Sequence, residues 1–531
     1  MNNQKFQMKK TIIALAAVLG TTPVLAFADT TVDWGGDIII RPFHRTNARD
    51  FQESVTDTKN FTTERARLKA TIKVQEDISG TVEIMHFRKW GASDPNRVVD
   101  ANTGNNLQSA MDDNWMDLNQ AYIEVKNVFD SGLWMKAGRQ EMAYGDQRLV
   151  GNTNFWSTYP FPRAYDAVRV GVKNDAYDID AWMGKVTERQ LSGLFGSTTT
   201  TATNGIANVP SDRNFNGIWA TLKNLIPDNT LDLYLLNMND GGYTNGVGTV
   251  NGIAYTGLSP YEGIFNLPPN FGQFPWAKNT GLTYTDSTRV YNWGTRLKGK
   301  YSNLDYTVEL NHQTGQFADA QSISADGDAL RVGYTFPEAM GLRINGEYVY
   351  ASGDNTPTTG DHNTFYQFTP SPHGMLGAQD FIAFQNIRAA KIGASFNARA
   401  NLKLSADFWN FRQATANDNW YSSNGTSTRN ISLAAGGCNG SGACTTNTGI
   451  NTGAGFVATG AEGHLADRNI GTELDLIARY EYSKPLSLEL GYSAFNPGSG
   501  IKNATAGNLY GHTTGAADRA TFAWGMLMLK F

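Results

Sequence analysis

Between Phe61 and Val74 the chain reads FTTERARLKATIKV, and its cations fall on alternate positions: Arg65, Arg67, Lys69 and Lys73. A period of two puts them on one face of an extended strand. The chemistry on offer is reversible capture of carboxylate or phosphate rather than bond-making, because guanidinium and ammonium groups carry only donors and positive charge. Ala66, Leu68, Ala70, Ile72 and Val74 make the opposite face apolar. The two faces must meet different solvents.

The same alternation adds Arg169, Lys223, Arg296, Lys298, Arg331, Arg343, Lys391, Lys403 and Arg479 to the charged face. Glu83, Glu124, Asp305, Glu309, Glu347, Asp407, Glu473, Asp475, Glu481 and Glu489 form an acidic set of similar size. Neighbouring stretches such as 289–299 and 303–312 carry opposite signs, so ion pairing across the wall is one fate for these groups. Four like charges on one strand repel unless anions or several acids compensate them, so segment 65–73 predicts a local electropositive patch.

Other chemistries find less support. His373, Gln379 and Asp380 share a long loop with Ser371, but nothing completes a catalytic set, and an enzyme is not expected. There is no CxxCH, metal motif, phosphate loop or nucleic-acid patch, so neither cofactor nor metal nor nucleic-acid partner is expected. Asp112, Asp113 and Asp117 read as a solvated acidic loop rather than a calcium site. Cys438 and Cys444 are expected to form a disulfide closing a short loop, worth roughly 2 kcal/mol in the loop-entropy model.

The elements that must carry these residues are strands. Lys5, Lys9 and Lys10 precede the apolar run TIIALAAVLG, and the small residues of AFA at 26–28 complete a secretory signal peptide over 1–28. Beyond it no apolar stretch is long enough for a spanning helix, which leaves an exported soluble protein or a β-barrel over 29–531. Alternation predicts about eighteen strands, at 34–42, 62–74, 81–89, 118–127, 133–140, 166–173, 177–186, 216–223, 231–238, 289–299, 303–312, 328–336, 341–350, 387–397, 401–410, 470–482, 485–494 and 521–531. Their connections alternate between short turns and long Gly, Asn, Thr and Ser-rich loops, the habit of an outer-membrane barrel. The last strand, FAWGMLMLKF, ends on an aromatic at Phe531 and resembles the signal read by bacterial barrel-assembly machinery. An arginine or lysine facing lipid at the midplane costs about 2–4 kcal/mol, so the basic residues face a wet lumen. The fold expected is therefore all-β, a transmembrane antiparallel barrel in the bacterial outer membrane.

GRQEMAYGDQRLVG at 138–151, RAYDAVRV at 163–170, FYQFTPSPHGMLGAQDFIAFQNI at 365–387 and IGTELDLIARYEYSKPLSLELGYSAFNPG at 470–498 together resemble the alginate export family of outer-membrane barrels. The resemblance implies an eighteen-stranded channel with an arginine-lined constriction through which an anionic polysaccharide leaves the cell. It makes Arg139, Arg148, Arg163 and Arg169 candidate anion contacts, with Asp146 and Asp166 as their partners. The other role open to Arg139 and Arg148 is to tie the loop at 141–165 onto the wall. The expected function is passive passage of an alginate-like polymer or another anionic solute, with periplasmic export partners possible. The alternatives are a general or nutrient-uptake porin and a non-conducting structural barrel.

Overall fold

The computed structural model describes residues 30–47, 51, 58–90, 115–152, 163–187, 213–223, 225–240, 247–250, 253–256, 288–317, 321–356, 360–371, 373–418, 420–421, 423, 467–502 and 517–531. The expected signal peptide over 1–28, Cys438, Cys444, Asp112 and Asp113 lie outside the described residues.

Twenty strands follow one another: β1 (Thr31–Thr46), β2 (Lys59–Lys73), β3 (Ile78–Lys89), β4 (Trp115–Val128), β5 (Leu133–Glu141), β6 (Ala164–Lys173), β7 (Tyr177–Thr187), β8 (Arg213–Lys223), β9 (Asn229–Asp240), β10 (Val247–Val250), β11 (Ile253–Thr256), β12 (Thr288–Tyr301), β13 (Leu304–Phe317), β14 (Gln321–Phe336), β15 (Leu342–Ala351), β16 (Ile387–Arg399), β17 (Leu402–Gln413), β18 (Asn469–Ser483), β19 (Leu486–Pro497) and β20 (Ala520–Lys530). Eighteen of them form one antiparallel sheet, with β9 paired directly to β12. The sheet closes on itself where β20 pairs with β1. At the seam the Gly36 amide donates to the Phe531 carbonyl (2.9 Å) and the Phe531 amide to the Gly36 carbonyl (3.1 Å). Closure leaves no unpaired edge, which an apolar solvent requires.

All eighteen expected strands are present, and several run further at the long-loop end: β14 begins at Gln321 rather than 328, and β13 ends at Phe317 rather than 312. Backbone pairing continues there although the lipid-facing alternation has stopped, so a pattern tuned to lipid undercounts the wall. β10 and β11 form a separate hairpin within the expected loop 239–288.

Alternation sorts the two faces as expected. Leu68, Ile123, Met183, Leu310, Ile392, Leu476 and Leu529 are exposed outward, while Glu309, Glu473 and Asn311 on alternate positions are buried inward. The exposed apolar band is the surface that lipid covers.

Segments from the long-loop end fold into the barrel. Residues 142–152 and 360–386 meet in a parallel bridge between Val150 and Thr369, where the Gly151 amide donates to the Thr369 carbonyl (2.8 Å) and the Thr369 amide to that of Leu149 (2.9 Å). From there the second segment crosses the lumen. Tyr366 exchanges two hydrogen bonds with the Gln313 side chain (2.6 and 2.8 Å), and Gln379 Nε2 donates to the carbonyls of Ser493 and Ala520 on the far wall (3.1 and 3.2 Å). Phe365, Phe368, Phe381 and Phe384 pack with inward-facing Phe215, Val349, Phe411 and Phe495 in one apolar cluster. Each fully buried phenyl contributes about 1.5–3 kcal/mol. The long-loop half of the barrel thus holds a hydrophobic core, and the polar lumen is displaced toward the short turns.

Candidate functional site

Tyr144, Asp146 and Arg148 hold the loop 142–152 against the wall over the lumen. At its start, Tyr144 stacks on Trp182 and Trp219 (ring centroids 5.0 and 5.1 Å) and its hydroxyl donates to Asp180 Oδ2 (2.7 Å). Burial, reinforced by the Asp180 charge, keeps the phenol well above its ordinary pKa, so it remains a donor. Gly145 then adopts φ +57°, a left-handed conformation that favours glycine.

The turn delivers Asp146 between two wall arginines. Arg296 Nη2 donates to its Oδ1 and Arg331 Nη2 to its Oδ2 (2.7 Å). Burial pushes the Asp146 carboxyl up, but Arg331, Arg296 and Arg148 together outweigh it and hold the group below the usual carboxylate value. Three residues on, Arg148 is buried against β13 and β15, donating to Glu347 and lying 3.6 Å from Glu309. Burial disfavours its charge, and the Glu347 and Glu309 carboxylates more than restore it.

These contacts extend into a belt of alternating charge around the wall. Arg169 bonds Asp180 (2.5 Å), Arg296 bonds Asp232 (2.9 Å), Lys391 reaches Glu347 (3.3 Å) and Asp407 (3.6 Å), Arg343 bonds Asp305 (2.6 Å) and Arg479 bonds Glu489 (2.6 Å). Arg139 lies 3.3 Å from Asp166. Asp146 pairs instead with Arg296 and Arg331, because the left-handed turn carries it across the lumen. Arg148 ties its loop to the wall, and Arg163, just before β6, donates to the Pro370 carbonyl of the inward segment (3.3 Å).

The electropositive patch expected at 65–73 is corrected. Arg65 and Arg67 both bond Asp37 of the neighbouring strand, and Arg67 also meets Glu83 (3.6 Å) and Glu141 (3.2 Å). Lys73 pairs with Asp33 at the short-turn end (2.7 Å). Inward-facing acids on adjacent strands neutralise the ladder, leaving Lys69, which faces Glu83 in register, half-buried beside them.

Between the loop and the short turns lies a cavity of about 770 Å³ walled by β4–β9 and β12. Lys126, Lys173 and Asp178 stand at its turn-side rim, and Tyr144, Gly145, Trp219 and Arg296 close its inner end. Six cationic and four anionic side chains line it, so its own charge is positive. Lys298 lines it without an ion-pair partner among the described residues. Trp134 and Trp219 supply flat apolar surface beside these charges.

His373 and Asp380 contact each other at 2.8 Å, while the Ser371 amide donates to the Gln147 carbonyl (2.9 Å); the contacts order the inward segment. No cluster of His, Cys, Asp or Glu among the described residues could hold a metal ion. Sequence reading missed Asp37, Glu141, Asp180 and Asp232 as partners and Tyr144, Trp182 and Trp219 as the stacked support. The acids on strands had a signal, their alternation parity; Tyr144 had none, because no periodicity governs a loop.

Residues 31–512 match the sequence profile of the alginate export family. Among solved structures, Pseudomonas aeruginosa OccK9 (OpdG) superposes with a TM-score of 0.52 at 11% identity, covering 94% of this chain and 99% of its own. OccK8 (OprE) of the same organism gives 0.50 at 9%, covering 94% and 98%. The outer membrane protein OprD from Pseudomonas aeruginosa gives 0.48 at 11%, covering 94% of each chain. Identities this low speak for the fold alone. No curated protein sequence matches the chain.

Proposed function

The chain belongs to the alginate export family of outer-membrane channels, and from that premise we propose that it passes carboxylate-bearing saccharides, a polyuronate or its fragments, from the turn-side cavity past the loop 142–152. The observation that carries this reading is the cavity itself: a positive lining beside tryptophan faces. Guanidinium groups exchange carboxylates through forked hydrogen bonds, and sugar rings stack on flat apolar surface. Arg169, Arg296, Lys298 and Arg331 are the proposed contacts. Arg65, Arg67, Lys73, Arg343, Lys391 and Arg479 border the rest of the path through charge pairs, with Lys69 beside them.

A second reading is passage of small anions or single sugars. It is favoured by the segment 360–386, whose phenylalanines fill the long-loop half of the barrel, since a polymer needs that segment displaced and a monomer needs less room. Phe531, whose backbone completes the seam, supports a role for the last strand in assembly by barrel-insertion machinery.

The experiment is a planar-bilayer recording of the purified protein under a KCl gradient, with uronate oligomers added on one side. Anion selectivity with transient blockade by the oligomers, and weaker blockade by neutral oligosaccharides of equal length, is expected. Cation selectivity with no blockade would overturn the reading.

A further inference from the structure

On the outer surface of the wall, Arg388 of β16 and Arg412 of β17 are direct cross-strand partners, and both are exposed. Neither has a carboxylate partner among the described residues. Arg468 is also exposed beside them, its carbonyl accepting from the Gln413 amide (2.8 Å). Like charges opposite one another destabilise an antiparallel pair unless an anion sits between them. Asp328 lies on the same face two strands from Arg388, but it forms no ion pair with either arginine.

The position says which anion. Below the arginines the same outward face continues through Ala390 and Asn410 to Ile392 and Phe408, both exposed. Ile392 lies four residues from Arg388, about 13 Å along the strand. The pair therefore stands at the long-loop edge of the apolar band, where outer-leaflet headgroups meet the barrel. Tyr350, opposite Arg388 on β15, supports its guanidinium 5.5 Å from the ring centroid. Two forked donors side by side match the oxygens of a phosphate group.

We propose that Arg388, Arg412 and Tyr350 form a binding site for the phosphorylated headgroup of an outer-leaflet lipid, whose acyl chains lie along Ala390, Ile392 and Phe408. The site is outside the channel and independent of what the lumen carries.

The test uses the full protein in an uncharged detergent and fluorescent diphosphorylated lipid A as probe, with binding read by anisotropy. Wild type is expected to bind it at least about tenfold more tightly than R388Q/R412Q, a gap equivalent to about 1.4 kcal/mol. Single-channel conductance of the variant should match wild type. Equal binding by the two proteins would overturn the assignment. So would equal binding of the dephosphorylated lipid by wild type, a comparison that decides the question even if the variant does not fold. Displacement of the probe by millimolar inorganic phosphate alone would reduce the site to a simple anion contact and overturn the lipid assignment.

Discussion

Replacing Arg148 by methionine tests whether the loop 142–152 is latched to the wall. The change keeps an unbranched apolar stem and removes the guanidinium charge that Glu347 and Glu309 share. Breaking a buried ion pair from one side typically costs about 3–5 kcal/mol, because the remaining charge is left without compensation. Here each acid keeps one partner: Lys391 stays 3.3 Å from Glu347, and the Tyr234 hydroxyl still donates to Glu309 (2.9 Å). The Glu309 contact is also long, so most of the loss falls on Glu347. These facts set the expectation near the lower bound, about 3 kcal/mol, or roughly a hundredfold in the equilibrium between docked and released loop. The wall itself is untouched, so the barrel still assembles. In single-channel recordings R148M should show a larger mean conductance with frequent steps between two levels, where wild type holds one. Identical conductance and noise in R148M and wild type would refute the idea that this arginine latches the loop.

Three further outcomes follow from the same geometry. Substituting Arg67 by alanine removes the cation that Asp37, Glu83 and Glu141 share and leaves Asp37 with Arg65, so the reversal potential under a salt gradient should shift toward cation preference; a shift toward anions would contradict the pairing. The Asp146 carboxyl sits below its ordinary value of 3.8, so the docking it provides is complete above that value and is lost as the pH falls through the lowered one. Loop noise should accordingly appear only below about pH 4 in wild type and be present at neutral pH in D146N, as bilayer recordings across pH will show. Trimming Phe384 to alanine removes a fully buried ring from the inward core and should destabilise the docked 360–386 segment by about 3–5 kcal/mol. A lowered midpoint in unfolding followed by gel mobility, with conductance raised, is the expected result.

The sequence by itself determined the wall. Lipid penalises charge and unpaired backbone so strongly that alternation had to be written into every strand, which is why all eighteen could be read and why Leu310 and Glu309, or Leu476 and Asp475, were assigned to the correct faces. It also placed the basic residues in the lumen. Their effect was decided elsewhere: Arg65 and Arg67 looked like a positive ladder along one strand, but Asp37 and Glu83 on the flanking strands and Glu141 from β5 cancel them, and register between strands is a property of the closed barrel. The core inside the lumen was least legible. Phe365, Phe384 and Arg148 lie in segments whose Gly, Pro and polar residues read as loop, and only closure of the wall brings them against Phe411, Val349 and Glu347. Lipid acts on each strand locally, whereas the lumen exists only after residues hundreds of positions apart have met.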